Sequence, residues 1–516
     1  MDIPQHCDVF VVGGGINGVG IARDLAGRGY KVVLAEKDDL AQHTSSSSTK
    51  LIHGGLRYLE FHEFGLVRKA LIEREVLLKS APHIMRPLRF VMPHNPSMRP
   101  AWLIRLGLLL YDHLARREIL PGSHGIDLRR HDAGAPLKPE YTQGFVYSDG
   151  WVDDARLVVL NAVDARDRGA AILTRARCVE AKRSAANWSI TVQHGNGSCT
   201  MLRARALVNA AGPWAESFLR SAALPAQGEA LATRSLRLIK GSHIVVPRIF
   251  DHSYAYIFQN ADKRIIFAIP YEDDFTLIGT TDVEITGIPE AAAIDRDEML
   301  YLCEQASRYF RRPLQPEHVL WSYTGIRPLL DDRTGDASAV TRDYQLESNA
   351  VAAPLLTVWG GKITTYRKLA EEAGDSLVAL LGERRPPWSK GALLPGGDLT
   401  DWIGPAERPD RDFMRFLEKL MQRYPWLAPR HLRRMARAYG SRIESVLGSA
   451  SSRGEQGLEI APGLFQAELE YLCCHEWAQT ADDILWRRTK LGLHYGPEQH
   501  QAVARWIEMF RKKKAQ

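Results

Sequence analysis

The apolar positions in the first part of the chain follow two different spacings. Residues 9–12 form a short continuous apolar run, which predicts a buried strand, and residues 31–35 predict a second strand. Between them, apolar and small residues recur at the spacing of a helix face, at Ile16, Val19, Ala22 and Ala26. The order of strand, helix and strand predicts the opening unit of a Rossmann-like α/β domain.

Three glycines in a GxGxxG pattern separate the first strand from the helix. Gly13 allows the tight turn, Gly15 lets the backbone approach a pyrophosphate, and Gly18 lets helix and strand pack closely. Glu36 closes the second strand and is placed to accept hydrogen bonds from a ribose. The chain has one such fingerprint with a strand before it and a helix after it. It therefore predicts one bound dinucleotide, either NAD or FAD.

A hydroxyl-rich stretch, TSSSSTKLIHGGLRYLE at residues 44–60, begins shortly after this unit ends. Its position predicts that the hydroxyls lie near the same pyrophosphate. Gly54 and Gly55 would let the backbone lie flat against a ligand, and Arg57 and Tyr58 would then present a cation and a phenol. Helical spacing of apolar residues resumes after the stretch, from Leu66 onwards.

Composition and charge narrow the picture only slightly. The chain has 516 residues, with 45% hydrophobic and 25% charged residues, which is ordinary for a globular protein. The net charge of +6 is weak support for a polyanionic partner. The six cysteines have no metal-site spacing, so we expect no metal, and their usage suits a reducing cytoplasm. No signal peptide is apparent, and the most apolar run, residues 101–114, is too short to span a bilayer.

Ten short motifs together resemble one enzyme family. In chain order they are VVGGGINGVGIARDLAGRG, TSSSSTKLIHGGLRYLE, YDHL, YSDGWVDDARLV, LVNAAGPW, RLIKGSHIVVP, IGTTDVE, YTGIRPL, TRDY and GGKITTYRKLAE. The chain resembles the bacterial aerobic glycerol-3-phosphate dehydrogenases, in the D-amino-acid-oxidase-like group of flavoproteins. The resemblance extends from about residue 7 to about residue 495, with the motifs in the family's order.

The resemblance implies FAD as the cofactor. It implies oxidation of sn-glycerol 3-phosphate to dihydroxyacetone phosphate, with hydride transfer from C2 to the flavin N5 and electrons passing to a membrane quinone. It also implies a homodimer attached peripherally to the cytoplasmic face of the inner membrane. The segment at residues 99–117, which joins Trp and Leu to flanking Arg, either lies in the membrane interface or is a buried helix under the FAD domain.

The matching motifs are expected to supply residues that bind the substrate phosphate and a general base that takes the proton of the C2 hydroxyl. Phosphate favours Arg because a guanidinium binds it bidentately. We expect Arg327 and Arg342 on the phosphate, while Arg57, beside Tyr58, either binds phosphate or polarises the carbonyl that forms at C2. His243 is the expected base because histidine titrates near neutral pH. On spacing alone, a histidine on an apolar strand is more often a satisfied core residue, and the resemblance is what favours His243 as the base.

Two further segments are expected to reach the flavin. Residues 206–215 predict a strand that brings Gly212 to the cofactor. Residues 355–359 predict a strand, followed by a glycine turn, Lys362 and a helix from Thr364, which would stabilise negative charge on the reduced flavin. His53 could orient the flavin. The residues expected to contact the cofactor are Gly13, Gly15, Ile16, Asn17, Gly18, Glu36, Thr44, Ser45, Ser46, Ser48, Lys50, Leu51, His53, Gly54, Gly55, Ala211, Gly212, Gly361, Lys362 and Thr364.

The predicted fold is α/β, with a Rossmann-like FAD-binding domain, an antiparallel-sheet cap domain for the substrate and a C-terminal helical domain. The FAD-binding domain is expected in three pieces, 1–90, 150–235 and 325–390, with an insertion at 91–149 that holds the possible membrane segment. The short β-rich runs of 236–324 predict the cap, and the helical spacing of 391–516 predicts the C-terminal domain.

Three other functions remain open on the sequence. A glycerol-3-phosphate oxidase would use O2 in place of quinone, and the two are poorly separated by sequence. An amine or amino-acid oxidase of the same fold would need one Arg for a carboxylate in place of a phosphate-binding cluster. A nucleic-acid-binding flavoprotein would use the basic C-terminal helices, but the modest charge and the lack of interleaved aromatic residues argue against it.

Overall fold

The computed structural model describes residues 3–95, 99–226, 231, 233–260, 262, 264–331 and 343–515. In chain order its strands are β1 (His6–Val12), β2 (Val32–Ala35), β3 (Leu51–Ile52), β4 (Met85–His94), β5 (His124–Asp127), β6 (Gln143–Val152), β7 (Ala171–Leu173), β8 (Ala176–Arg183), β9 (Trp188–His194), β10 (Cys199–Asn209), β11 (Ala223–Leu224), β12 (Leu236–Pro247), β13 (Ala255–Gln259), β14 (Ile265–Tyr271), β15 (Phe275–Gly279), β16 (Val283–Ile285), β17 (Trp321–Leu330), β18 (Gln345–Asn349), β19 (Leu355–Trp359), β20 (Glu459–Ala461) and β21 (Leu464–Phe465).

The α-helices are α1 (Ile16–Gly27), α2 (Phe64–Ser80), α3 (Ala101–His113), α4 (Asp154–Asp167), α5 (Ala215–Ser221), α6 (Arg296–Ser307), α7 (Tyr366–Leu380), α8 (Thr400–Ile403), α9 (Pro409–Arg423), α10 (Pro429–Tyr439), α11 (Ile443–Leu447), α12 (Gln466–His475) and α13 (Pro497–Ala515). A single π-helical turn covers Asp483–Arg488.

The first sheet confirms the predicted βαβ unit. Five strands run parallel in the order β7, β2, β1, β10 and β19, and α1 packs against both α4 and α7. The apolar run of β1 is buried on both faces: Val9 and Val11 pack with α1, α4 and α7 in the main core, and Phe10 lies in a second cluster with residues of β8, β9 and α5, including Trp188. The carboxyl ends of β1, β2, β10 and β19 all point to one edge, which is where a doubly wound sheet binds its ligand.

The second sheet is predominantly antiparallel and confirms the predicted cap. Its main path runs β16, β12, β15, β14, β13, β4, β6 and β3, with β17 on β12 and β5 on β6. Strands β12 and β17 pair over ten residues, with Ile239 opposite Arg327 and His243 opposite Tyr323. This register places two expected substrate residues on neighbouring strands.

The sheets cross the predicted domain boundaries. β4 begins in the expected first FAD-binding piece and continues past residue 90, β6 crosses residue 150, and β17 crosses residue 325. All three strands belong to the cap sheet. The boundaries themselves stay a prediction, and the cap sheet includes strands on both sides of them.

The C-terminal part is helical, as expected. Helices α8 to α13 enclose an apolar core that includes Phe416, Leu420, Met435, Tyr439 and Leu472. Among the described residues, no helix is both long enough and apolar enough to cross a membrane.

Candidate active site

The glycine-rich turn forms a cradle of bare backbone at the edge of the parallel sheet. Gly13 has a φ of 106°, in the left-handed region that favours glycine. A Cβ on Gly18 would overlap the carbonyl oxygen of Gly13, so only glycine lets α1 approach β1 this closely. Ile16 and Asn17 open α1, whose N-terminus faces the turn. The cradle fits a diphosphate because the bare glycine backbone allows close approach and the helix dipole favours an anion at this position.

Glu36 anchors the turn from the end of β2. Its Oε2 accepts a hydrogen bond from the Gly14 N–H at 2.6 Å, and its Oε1 accepts one from the Asp38 N–H at 2.8 Å. Burial raises the pKa of the Glu36 carboxyl. The carboxylate lines the same cleft as Gly13 and Gly15, where a ribose was expected.

Side chains that the sequence did not single out line the cleft beyond Glu36. The Lys37 ammonium lies 3.8 Å from the Trp214 ring centroid, and the His43 ring lies 4.6 Å from the same ring. His43 also hydrogen bonds to Asp38 at 2.8 Å, and this bond lowers the pKa of the Asp38 carboxyl. Trp214 lies in the quoted motif LVNAAGPW, which was the available signal for it.

The hydroxyl-rich loop reaches the helix N-terminus, as expected from its position. The Ser45 hydroxyl accepts a hydrogen bond from the Ile16 N–H at 2.9 Å. The Thr44 hydroxyl donates to the Ile326 carbonyl of β17 at 2.7 Å, so the loop contacts both α1 and the cap sheet. The Ser46 hydroxyl makes only a local contact, to the His43 carbonyl at 3.4 Å.

A buried ion pair between Lys50 and Asp154 holds the hydroxyl-rich loop against the start of α4. The Lys50 ammonium lies 2.9 Å from Asp154 Oδ1, and the Ser48 hydroxyl donates to Asp154 Oδ2 at 2.7 Å. Both members of the ion pair are completely buried, and burial lowers the pKa of Lys50. Leu51 follows in β3, packed in the apolar core of the cap sheet. Lys50 and Leu51 therefore anchor the loop with their side chains, and Asp154 was not singled out by sequence although it lies in the motif YSDGWVDDARLV.

The end of the loop meets the glycine-turn segment that follows β19. The His53 N–H donates to the Thr364 hydroxyl at 3.2 Å, and Asn17 Nδ2 donates to the Gly360 carbonyl at 3.2 Å. The Gly54 N–H donates to the Tyr111 hydroxyl of α3 at 2.8 Å, and Gly55 has a φ of 79°. Three segments far apart in sequence thus converge around one cleft.

Lys362 lies at the start of this last segment. Gly361, with a φ of 106°, precedes it, and a 3₁₀ turn at Ile363–Thr365 leads into α7 two residues later than predicted. The Lys362 ammonium lies 3.7 Å from the Tyr58 ring centroid, so these two expected site residues are in contact. Arg57 is half-buried, with its guanidinium 5.8 Å from the Phe61 ring.

The strand β10 completes the cleft. The Ala211 N–H donates to Asn209 Oδ1 at 3.3 Å, and Gly212 follows with a φ of 57°. Of the expected cofactor contacts, these side chains or backbones line the cleft: Gly13, Gly15, Ile16, Asn17, Glu36, Thr44, Ser45, Ser48, Ala211, Gly212 and Gly361.

His243 is buried on β12, opposite the hydroxyl-rich loop. Its Nε2 lies 2.9 Å from the Thr49 hydroxyl, and its ring stacks on Tyr323 with centroids 4.8 Å apart. Nδ1 has no hydrogen-bond partner within the part of the chain that the structure describes. Burial, together with Arg327 and Lys50, holds the pKa of His243 well below its usual value, so the ring is neutral at neutral pH. Sequence did not single out Tyr323, which lies in the motif YTGIRPL.

Arg327 lies four residues beyond Tyr323 on β17, close to His243. Its guanidinium pairs with Asp282 and donates to the Thr280 hydroxyl at 3.0 Å. It packs against Gly241, where a Cβ would overlap the guanidinium. The structure thus brings together a neutral histidine, an arginine and a hydroxyl next to the cofactor cleft. Arg342 lies outside the described residues.

Comparison with known proteins identifies the family of this chain and several relatives. Residues 8–367 match the family model of FAD dependent oxidoreductases, and residues 389–515 match that of the C-terminal domain of alpha-glycerophosphate oxidase. A glycerol-3-phosphate dehydrogenase of Pseudomonas aeruginosa is 50% identical, covering 97% of this chain and 95% of that protein. A D-erythritol 1-phosphate dehydrogenase of Brucella abortus is 49% identical, covering 98% of each.

One solved structure matches nearly the whole chain. The glycerol-3-phosphate dehydrogenase of Bacillus halodurans, complexed with FAD, superposes with a TM-score of 0.77. It shares 26% sequence identity, and the match covers 98% of this chain and 90% of that one.

Proposed function

The chain belongs to the family of FAD-dependent oxidoreductases, and from that membership we propose that it oxidises the C2 hydroxyl of sn-glycerol 3-phosphate to the ketone of dihydroxyacetone phosphate. One observation carries the proposal. A neutral, buried histidine and an arginine from the cap sheet lie beside a cradle built for a dinucleotide. This combination suits dehydrogenation of an alcohol that carries a phosphate.

FAD, when bound, supplies the acceptor for the hydride that leaves the substrate carbon. In the chain itself, Gly13, Gly15 and the N-terminus of α1 would hold the diphosphate, and Glu36 would accept a hydrogen bond from the ribose. Lys362 and the N-terminus of the 3₁₀ turn at Ile363–Thr365 would stabilise negative charge on the bound flavin.

His243 takes the hydroxyl proton as hydride leaves. A base must be unprotonated to accept a proton, and the lowered pKa keeps His243 in that form at neutral pH. Arg327 and Lys50 contribute to the lowering. A substrate phosphate offsets their positive charge, so substrate binding makes His243 a stronger base at the moment it is needed. The Thr49 hydroxyl holds the ring through Nε2.

Arg327 binds the phosphate, with Arg57 and Arg342 proposed as further cations around it. Arg327 already has a carboxylate partner in Asp282. Its planar guanidinium carries five N–H donors, so one carboxylate and one phosphate can share it. The Thr280 hydroxyl keeps the guanidinium in place between them.

A second phosphorylated polyol is a rival substrate. The Brucella abortus relative is a D-erythritol 1-phosphate dehydrogenase and is as similar to this chain as the glycerol-3-phosphate dehydrogenases are. Both substrates present a phosphate and hydroxyl groups, so the same base and the same Arg would serve either one. The choice depends on how much room the site leaves beyond C2.

The proposal is tested by anaerobic bleaching of the protein's flavin absorbance. We expect sn-glycerol 3-phosphate to bleach it, and glycerol and D-alanine to leave it unchanged. A comparison of kcat/KM for sn-glycerol 3-phosphate and D-erythritol 1-phosphate then decides between the two polyols. Bleaching by D-alanine alone would instead show an amino-acid oxidase.

We propose a membrane quinone as the electron acceptor, reached through α3. Five large apolar side chains on this helix are solvent-exposed, with Trp102 69% and Leu106 53% exposed, beside Leu103, Leu109 and Leu110. Phe61 and Phe64 are exposed on the neighbouring segment. Contiguous exposed apolar surface of this kind marks an interaction surface. The buried face of α3 reaches the flavin loop directly, through the bond from Gly54 to Tyr111.

The same surface supports peripheral attachment to the cytoplasmic face of the inner membrane. Arg99, which pairs with Glu60, and Arg116 flank the apolar residues, and the exposed Arg105 lies among them, a pattern that suits anionic lipid headgroups. A homodimer is also proposed, and light scattering of the detergent-solubilised protein would measure its mass.

An oxygen electrode, compared with reduction of a soluble quinone analogue, distinguishes the quinone-linked enzyme from an oxidase.

A further inference from the structure

A second cavity lies between the cap sheet and the C-terminal domain. Its volume is about 910 Å³, and it shares no lining residue with the cofactor cleft. Strand β4, the junction of β6 and α4, helix α10 and the segment after the π-helical turn form its walls. Small-molecule sites commonly have volumes of about 300–1,000 Å³ and occur at domain interfaces, so the cavity is of a size to hold a ligand.

The cavity is strongly cationic. Eight arginine and lysine side chains line it, against four carboxylates. Some of the cations are structural, because Arg434 pairs with Glu468 and Arg488 pairs with Asp39. Others have no such partner. Within the described ranges, Arg86 and Arg433 make no ion pair and no hydrogen bond, and the Arg86 guanidinium lies 4.0 Å from the Trp151 ring.

Arg437 adds a third cation without a carboxylate. Its guanidinium donates to the carbonyl oxygens of Pro82 and His83, both at 3.3 Å. Burial, with Arg86 and Arg433 nearby, holds the pKa of Arg437 well below its usual value. Three guanidinium groups are thus crowded together in a partly buried space, an arrangement that an anion would stabilise.

His83 is a separate indication of a ligand. The residue is completely buried and lines the cavity, yet neither ring nitrogen has a hydrogen-bond partner in the described part of the chain. Burial and the nearby Arg156 and Arg437 lower the pKa of His83 to about 3, so the ring is neutral. Buried polar groups in folded proteins are nearly always satisfied, and a neutral imidazole can both donate to and accept from a ligand.

We propose that this cavity binds a small polyanion carrying phosphate groups, at a site separate from the substrate. Arg guanidinium groups recognise phosphate oxygens bidentately, and a phosphate monoester carries about −1.5 to −2 charges at neutral pH. Arg86, Arg433 and Arg437 make no ion pair with a described carboxylate, and their three charges match about one to two phosphate groups. The ligand is either a free phosphorylated metabolite or the headgroup of an anionic lipid, which present the same chemistry.

The cavity wall adjoins Asp154, the residue that holds the hydroxyl-rich loop in place. Asp153 lines the cavity and caps α4, accepting from the Arg156 N–H at 3.1 Å. The next residue, Asp154, holds Lys50 and Ser48 of the loop. Asp153, which lines the cavity, is thus the chain neighbour of Asp154, whose ion pair with Lys50 positions the hydroxyl-rich loop.

The experiment is calorimetric titration of the FAD-loaded, full-length protein with inorganic pyrophosphate at constant ionic strength. We expect saturable binding to one site, weakened about tenfold or more by Arg86→Gln and by Arg433→Gln, with KM for the substrate unchanged. Arg433 is exposed, so its variant does not depend on core packing. Arg411→Gln, an exposed arginine on α9 outside the cavity, is the matched control and should bind normally.

Two results would overturn the proposal. One is absence of pyrophosphate binding at millimolar concentration. The other is binding that Arg327→Ala abolishes or the substrate displaces while Arg86→Gln and Arg433→Gln leave it intact, because the anion would then occupy the substrate site. Sedimentation with phosphatidylcholine vesicles, with and without phosphatidylglycerol, separates the two sources. Lipid binding that pyrophosphate and Arg433→Gln both weaken identifies a headgroup, and lipid binding that neither of them changes identifies a free metabolite.

Discussion

At the residue scale, the environment of His243 determines its chemistry. A histidine on a buried strand would ordinarily be a satisfied core residue, but its Nδ1 lacks a partner among the described residues and its Nε2 is held by Thr49. The nearby cations and burial keep the ring neutral. Neutrality at the working pH and a free nitrogen are the two properties that a general base needs.

Replacing His243 should therefore lower turnover and remove one limb of the pH profile. For His243→Asn we expect kcat to fall by about 10²–10⁴-fold with little change in KM. In the unmodified protein, activity is lost on acidification only below the lowered pKa of His243, so the acid limb lies below pH ~6.5. The variant should lack this limb.

The control for that experiment is His6→Asn, an exposed histidine at the start of β1. It should retain the profile of the unmodified protein. An acid limb that persists unchanged in His243→Asn would show that another group is the base.

Replacing the single residue Arg327 should weaken binding of the substrate phosphate. In Arg327→Ala we expect KM for sn-glycerol 3-phosphate to rise about 100-fold, equivalent to ~2.7 kcal/mol, because a charge-assisted contact to phosphate is lost. Steady-state kinetics measures this directly. Arg237→Ala is a matched control, since Arg237 lies on the adjacent strand and pairs with Glu284 in the same way. An equal effect of both variants would contradict the phosphate assignment.

At the scale of elements, α3 is the helix whose surface does not match a buried role. The sequence left two possibilities for this segment, an interfacial helix or a buried one. The structure exposes most of its large apolar side chains and buries only Ile104, Leu108 and Tyr111. A helix with one narrow buried stripe and an apolar exposed face is typical of proteins that lie on a bilayer.

Charge on that face should detach the protein from membranes. For the double variant Leu106→Asp and Leu110→Asp we expect loss of flotation with lipid vesicles, while turnover with a water-soluble dye acceptor stays within about twofold, since neither side chain is buried. Leu458→Asp, an exposed leucine of the C-terminal part, is the control. Flotation that survives the double variant would place the membrane contact elsewhere.

At the scale of the whole molecule, buried ion pairs join the parts of the chain. Arg156 of α4 donates through Nη2 to Glu476 at 2.9 Å and to the Ala438 carbonyl at 2.8 Å, and both side chains are almost completely buried. Arg488 and Asp39 form a second pair between the C-terminal part and the segment that follows β2. These contacts fix the C-terminal helices against the FAD-binding sheet.

Breaking one such pair should destabilise the molecule strongly. Glu476→Gln leaves Arg156 buried without its counter-charge, and we expect a loss of ~3–5 kcal/mol in the free energy of unfolding. Urea titration followed by flavin and tryptophan fluorescence measures it. Glu508→Gln removes the carboxylate of an exposed pair with Lys512 and should change stability by less than ~1 kcal/mol. Similar losses in the two variants would show that the buried pair has no special role.

Much of the fold and of the cofactor cradle was predictable from local pattern. The βαβ unit, the hydroxyl-rich loop beside it and the helical C-terminal part depend on spacing and on residue types within short windows, which act through backbone geometry. The contact of Ser45 with Ile16 could be anticipated because the loop follows the unit that it touches. The strands that cross the expected boundaries could not, because strand pairing joins segments without a local signature.

The sequence by itself determined the cofactor cradle, because glycine positions, a helix start and a terminal acid are set within about forty neighbouring residues. Only the tertiary structure decided the partners of His243, the anchoring of Lys50 by Asp154 and the crowding of Arg86, Arg433 and Arg437 around one cavity. Each of these joins segments of the chain that lie 100 residues or more apart, and they meet only in the folded molecule. Their charges and hydrogen bonds take on meaning there because water no longer screens or satisfies them.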